Sequence, residues 1–469
     1  VKDDTLNNFW ADSAPADATP RPSLEGHHVA DVTIIGAGFT GLWTAYYLKT
    51  LSPGLAIRVL EAKRVGHGAS GRNGGWAIGS LAGLSRLVEG LSSDERRACC
   101  RMLADNVDVI GTTLAREGIE ADFHKGGAIY AAARYPGQEA IQRAYLDHLH
   151  ALGHAEEDCY WLDAAALEEQ ARFRNPRGGV FQRDCATLHP RKLLQGLAAT
   201  LEAMGVAIHE CSRVRSLQPR CVTTDLGHIQ TGMTVCATEG YSADLHDVRR
   251  YVQPVQSLVI ATEALPASRW AEIGMSGRPA FADASRLINY GHRTADGRLV
   301  FGARGNYRFG GRPKRDQEIS TKEVQLRHDL LVDMFPALEG VKITHGWGGS
   351  LGLSRRFRPH ALIDRASGLA TAGGYAGEGV AASHLFARTL ADMLLERDTA
   401  RTHAPWAMDG THLSRGLKRW EPEPFRWLGA GLITLSYASE EALLQRRRSL
   451  GIVRPALRRL NDAFASLIE

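Results

Sequence analysis

Asp31-Val32-Thr33-Ile34-Ile35-Gly36-Ala37-Gly38-Phe39-Thr40-Gly41 begins as an apolar run and ends in a Gly-x-Gly-x-x-Gly turn. A helix-compatible stretch follows directly. The pattern predicts a strand, a tight loop and a helix N-terminus, the arrangement that receives a dinucleotide diphosphate. Gly36 permits the turn, Gly38 lets the backbone approach the diphosphate, and Gly41 lets the helix pack close to the sheet. Free N–H groups and the dipole at the helix start favour the anion. Twenty residues past Gly41, the run Ile57-Arg58-Val59-Leu60 ends in Glu61. A carboxylate at that strand tip accepts hydrogen bonds from a ribose. One glycine triplet alone can be a chance turn; strand, loop, helix, second strand and acid together are specific. Gly36, Ala37, Gly38, Phe39, Thr40, Gly41, Glu61, Ala62 and Lys63 form the first expected binding set.

Directly after this acid, Gly66-His67-Gly68-Ala69-Ser70-Gly71-Arg72-Asn73-Gly74-Gly75 places five glycines in ten residues. Such a run is neither helix nor central strand. It exposes backbone donors and suits close contact with a flat ring or a phosphate; a flexible surface loop is the plain alternative. A nicotinamide enzyme has no need of it. Far along the chain, Gly373-Gly374-Tyr375-Ala376-Gly377-Glu378-Gly379-Val380 follows a strand-like segment and precedes an apolar helix. This second glycine-rich helix start would stabilise negative charge developing on a flavin ring.

With these blocks the chain resembles the D-amino-acid-oxidase-like (DAO) superfamily of FAD-dependent oxidoreductases, most of all its branch around gamma-glutamylputrescine oxidase. The likeness extends to Phe9-Trp10 and Ala14-Pro15 near the start, and to Asp184-Cys185-Ala186-Thr187-Leu188-His189-Pro190, where such chains re-enter the FAD domain. It implies that Val214 meets the adenine and that Ala237 and Thr238 make a second FAD contact. It also implies FAD contacts from Gly68, Ala69, Ser70, Arg72, Asn73, Gly74 and Gly75, and from Gly374, Tyr375, Gly377, Glu378, Gly379 and Val380. Relatives commonly carry His or Asp at the place of Glu378. No cysteine lies beyond Cys236, and the place of a tethering histidine holds Arg72, so FAD is expected to be non-covalent; His67 is the loop residue that can upset this.

The implied fold is α/β with an α+β substrate domain: a Rossmann-like FAD domain of the glutathione-reductase type, interleaved with a mainly antiparallel substrate sheet. Its expected parts are an arm (1–30), an FAD domain (31–85, 185–250 and 341–402), a substrate domain (86–184 and 251–340) and a helical tail (403–469). The implied activity is oxidation of a C–N bond in a small amine or amino acid. Hydride passes to the flavin, leaving an imine and then a carbonyl, with hydrogen peroxide as the product of molecular oxygen. An amine dehydrogenase with another acceptor, a flavin monooxygenase and a non-catalytic flavin subunit stay open.

Four residues are catalytic candidates. Arg304, ending a substrate-domain strand, can fork an anion such as a carboxylate, or serve as a structural ion pair. Tyr290 can line the pocket or fill the core, and His292 shares its strand face. Trp347 lies where relatives place an aromatic beside the flavin, with ordinary packing as the alternative and His345 as a minor candidate on the same face. Glu378 either caps a helix or meets a substrate ammonium. Several oxidases of the superfamily activate oxygen with a lysine over the flavin, yet residues 290–310 hold none.

Composition narrows the rest. A net charge of +4, from 56 basic and 52 acidic residues, makes no case for nucleic acid. No apolar run nears the roughly 18 residues of a membrane span, and the polar start shows no secretory apolar segment. Seven cysteines without a C-x-x-C pair suggest neither a disulfide framework nor a zinc site, so no metal is expected and a reducing cytoplasm is the expected location. Oligomeric state stays open. Periodicity predicts helices over 86–118, 139–152, 192–204 and 321–334, and Asp296-Gly297 signals a hairpin. In the tail, the helical stretch from Glu440 to Leu467 carries Arg446-Arg447-Arg448, Arg458 and Arg459. It reads as a solvated basic face, with an acidic membrane surface or partner as the alternative.

Overall fold

A computed structural model describes residues 8–16, 20–245, 247–285, 288–305, 307–313, 319–445, 457 and 459–461. Among these residues the α/β expectation holds. The apolar run at Ile34 and Ile35 is the end of strand Gly26–Ile35, which pairs in parallel with Ile57–Leu60 on one side and Gly227–Cys236 on the other. These lie at the centre of a nine-stranded sheet. Its path runs Ala407–Asp409, His360–Asp364, Leu369–Gly373, Gly227–Cys236, Gly26–Ile35, Ile57–Leu60, Ala207–His209. Helix Phe39–Leu51 starts where the turn releases the chain, and it packs against helix Gly379–Leu394. Both are largely buried because their apolar residues run around most of the helix. Gly36 has φ +106°, and a Cβ there would lie 2.7 Å from the Ala237 carbonyl oxygen. A Cβ on Gly41 would come within 2.0 Å of the Gly36 carbonyl oxygen, so the helix could not sit this close to the strand.

The second sheet has eight strands, in the order Ile343–Ser354, Val252–Thr262, Leu299–Arg304, Asn289–Arg293, Ala280–Asp283, Ala128–Ala131, Gly179–Gln182, Cys159–Leu162. All its pairings are antiparallel except that of Ala280–Asp283 with Ala128–Ala131. Asp296-Gly297 turns the hairpin between Asn289–Arg293 and Leu299–Arg304. Ile129, Phe281, Phe301, Leu331 and Phe335 make its core, with helix Thr321–Met334 laid over it.

Several boundaries differ from expectation. The arm is not extended throughout: Phe9–Ser13 is a helix, started by the Asn8 side chain accepting the Trp10 N–H, and the first strand begins at Gly26. Ile343–Ser354, expected in the FAD domain, is instead the edge strand of the second sheet, paired along the length of Val252–Thr262. Helix Ser93–Arg116, expected with the substrate domain, packs Leu103, Val107 and Ile110 into the core of the first sheet. Gly227–Cys236 is one continuous strand of ten residues. The tail forms helix Phe425–Gln445, beginning well before Glu440; Arg446, Arg447, Arg448 and Arg458 lie outside the described residues.

Candidate active site

A cavity of ≈1520 Å³ is lined from both sheets. This exceeds the roughly 300–1,000 Å³ of an ordinary small-molecule site, so it has room for a dinucleotide and a second molecule. Its lining includes Glu61, Ala62, Lys63 and Val214, the helix start Gly38, Phe39 and Thr40, and Gly36. It also includes Gly68, Ala69, Ser70, Arg72, Asn73 and Gly74, together with Ala237, Thr238, Tyr375, Gly377, Glu378, Gly379 and Val380. Tyr290 and Arg304 line the cavity from the second sheet. Segments more than three hundred residues apart in sequence thus share one wall.

Hydrogen bonds hold this wall in shape. Each Glu61 carboxylate oxygen takes one backbone N–H, from Ala37 at 3.0 Å and from Lys63 at 2.9 Å. Burial raises its carboxyl above the ordinary range. Ser70 Oγ accepts the Phe39 N–H at 2.9 Å, which ties the glycine-rich loop to the first helix start. The hydroxyls of Thr40 and Tyr375 meet at 3.0 Å and join the two helix starts. A cradle made of backbone N–H groups, a dry acid and glycines at the points of closest approach has the donor set for a dinucleotide with a flat ring.

Glu378 is expected as either a helix cap or an ammonium partner. It stands at the N-cap of helix Gly379–Leu394 but makes no side-chain capping bond. Its carboxyl accepts the Ala82 N–H, and its Oε2 is buried with no hydrogen-bond partner. Burial pushes this carboxyl up to about 7. The phenols of Tyr130 and Tyr145, with ring centroids 5.1 Å apart, sit near enough to feel its charge, and both line the cavity.

Arg304 is mostly buried, which pushes its guanidinium below the ordinary value, and no carboxylate among the described residues offsets that burial. A desolvated guanidinium open to a cavity favours an anion there. Tyr290 lies in a slot between two glycines: a Cβ on Gly74 would fall 2.2 Å from its ring and one on Gly302 2.3 Å. Its hydroxyl meets Ser257 Oγ at 2.7 Å.

Other expected positions do not reach the cavity. Trp347 is buried against Phe9, Trp10 and Val259, and its indole N–H donates to the Arg72 carbonyl at 3.0 Å. It shares a strand face with Gly349 and Leu351, which do line the cavity, but sits past the cavity edge, beneath the loop. Ala37, Gly41, Gly75 and Gly374 also stand behind the lining. Of these, the Ala37 N–H serves Glu61, the Gly75 N–H donates to Asn73 Oδ1, and the Gly374 N–H donates to Glu239. His292 is buried and stacked on Trp10, and burial lowers it to about 4. His345 bonds Asp12 and Thr344 instead of facing the cavity.

Sequence reasoning missed four contributors. Glu239 takes the N–H groups of Gly374 and Tyr375 at 2.6 and 3.2 Å, fixing the second glycine turn from below. Tyr130 and Tyr145 come from a strand and a helix with no motif of their own. Asp283, a buried residue of the cavity lining, accepts from Arg134 and Gln138 at 2.8 Å each.

Residues 31–393 match the family described as FAD dependent oxidoreductase (DAO). The chain is 30% identical over 404 residues to the probable oxidoreductase OrdL of Haemophilus influenzae, covering 84% of this chain and 89% of that protein. It is 28% identical over 395 residues to gamma-glutamylputrescine oxidoreductase of Escherichia coli, covering 83% and 88%. Among solved structures, glycine oxidase from Geobacillus kaustophilus has the same fold, with a TM-score of 0.65 at 20% identity over 81% of this chain and 98% of that one. The chain therefore belongs to the DAO family of FAD-dependent oxidoreductases.

Proposed function

We propose that this enzyme oxidises the C–N bond of a small amine or amino acid, with FAD held non-covalently along the glycine-rich wall. In this reading Glu61, Ala62, Lys63 and Val214 hold the adenosine end, and the N–H groups at Gly38–Thr40 hold the diphosphate. Arg72–Gly74 and Tyr375–Val380 flank the ring. Bound FAD supplies a two-electron acceptor for a hydride from the carbon bearing the nitrogen. The chain supplies the rest. Arg304 pairs with a substrate anion and orients the reacting carbon; Tyr290 closes one side of the chamber. Glu378, ionised above about pH 7, accepts hydrogen bonds from a substrate ammonium and can take its proton, leaving the neutral amine from which hydride departs. The resulting imine is hydrolysed by water to a carbonyl compound and an amine or ammonia.

The observation that carries this reading is that two glycine-rich helix starts, Arg304 and Glu378 all line one cavity. The activity named for the Escherichia coli relative, on gamma-glutamylputrescine, supports an amine substrate. Non-covalent binding rests on the family likeness and on a cavity lining without cysteine among the described residues; His67, the residue that can upset it, does line the cavity. Molecular oxygen is the proposed final acceptor, giving hydrogen peroxide, and a cytoplasmic location is supported by seven free cysteines. The test is anaerobic mixing with a panel of amines and amino acids. The bound flavin bleaches with at least one of them and without NAD(P)H; bleaching by NAD(P)H alone would favour the monooxygenase reading instead.

A further inference from the structure

Helix Phe425–Gln445 turns its apolar face outward. Between Arg426 and Glu440 thirteen consecutive residues carry no charge. Phe425, Leu428, Leu432 and Leu435 follow a three-four-three spacing and so share one face, and they are 67%, 53%, 55% and 67% exposed. The buried residues of the helix carry polar contacts. Ser436 and Glu440 bond Asn461, and Glu441 joins Arg134, Tyr135 and Ser285. This reverses the usual order for a surface helix. The patch extends past the helix: Trp427 and Phe309, both exposed, meet at 6.2 Å between ring centroids.

Charge around the patch has one dominant sign. Nearby acids are engaged: Glu423 accepts from Tyr307, from the Gly310 N–H and from Arg426, while Glu440 and Glu441 face inward as above. Arg308, next to Phe309 in sequence, is exposed, as is Arg459. The same helix reaches the cavity lining through Glu441, which accepts a hydrogen bond from Ser285.

We propose that this face docks the enzyme on an anionic lipid surface, lying in the interface. No helix among the described residues is long and apolar enough to cross a membrane, so the contact is superficial. An uncharged face of Phe, Trp and Leu rimmed by arginine has the chemistry of an interfacial helix. Anionic headgroups neutralise the rim, whereas a second copy docked face to face would bring the two arginine rims together.

The test is co-sedimentation of the FAD-loaded full chain with vesicles of phosphatidylcholine alone and of phosphatidylcholine with phosphatidylglycerol. Binding is expected with the anionic vesicles only, weakening as salt is raised. The double substitution Leu428→Glu/Leu432→Glu is expected to lower vesicle partitioning by about tenfold or more, with flavin content and turnover unchanged. Phe309→Ser, on a separate loop, is expected to weaken binding as well, which guards against a helix that simply unfolds. The proposal is overturned if wild-type protein stays in the supernatant with anionic vesicles, or if the substituted proteins sediment like wild type. It is equally overturned if light scattering finds a dimer that the double substitution splits while vesicles bind nothing.

Discussion

Replacing Glu378 by glutamine removes a charge that the cavity makes unfavourable, and the size of the effect follows from the structure. Burial moves this carboxyl from 4.5 to about 7. At about 1.36 kcal/mol per unit, ionising it in the folded chain costs on the order of 3 kcal/mol relative to the unfolded chain. Between those two values the folded state keeps a proton that the unfolded state has released. Stability owed to this group therefore falls as pH rises through that window and is level above it. Glutamine has the same shape and no titration. Melting curves of wild type and Glu378→Gln, run side by side from pH 4.5 to 8 and followed by tryptophan fluorescence, isolate the group because other titrations are common to both. The variant is expected to gain on wild type steadily up to about pH 7, by a few degrees in Tm for a protein of this size, and to hold that gain above it. Two parallel curves would refute the argument that Glu378 is dry and lacks a compensating cation.

Two further substitutions address the remaining walls of the cavity. Glu61→Ala leaves the Ala37 and Lys63 N–H groups without their acceptor and removes the one proposed for the ribose; FAD Kd, measured by fluorescence titration of the apoprotein, is expected to rise roughly 10–100-fold. An unchanged Kd would remove Glu61 from the cofactor site. Arg304→Met is expected to raise KM for carboxylate-bearing amines by roughly 10–100-fold while leaving carboxylate-free amines of similar length little affected. Equal losses on both substrate types would make Arg304 a structural residue.

What the sequence disclosed was governed by short-range spacing. Gly36, Gly38 and Gly41 sit within six residues, and steric contacts 2.0 and 2.7 Å away explain why only glycine serves at two of them. The hairpin at Asp296-Gly297 and the helix Thr321–Met334 were legible for the same local reason. Where tertiary contact decided the outcome, local pattern failed. His27, His28 and Val29 do not look like a strand, yet they extend the first strand because Gly227–Thr231 runs beside them. The segment Gly346-Trp347-Gly348-Gly349 carries no alternating apolar signal, and its sheet membership follows from pairing with Val252–Thr262. Trp347 is expected beside the flavin only from the resemblance, with packing as the alternative, and it packs against Phe9 and Trp10 of the arm helix. Glu239, Tyr130 and Tyr145 become site residues only because remote elements fold against the second glycine turn, a relation that no spacing rule encodes. The outward apolar face of Phe425–Gln445 was also hidden, because periodicity marks an amphipathic stripe without saying which way it turns.

The central claim is that two distant glycine turns build one cavity for one FAD, open to an amine. It is tested most directly by purifying the chain, measuring flavin per polypeptide before and after incubation with FAD, and titrating the product anaerobically with amines. The account predicts one releasable FAD per chain and loss of the oxidised-flavin absorbance on adding a substrate amine. A colourless protein that takes up no FAD, or a bound flavin that no amine or amino acid reduces, would contradict it.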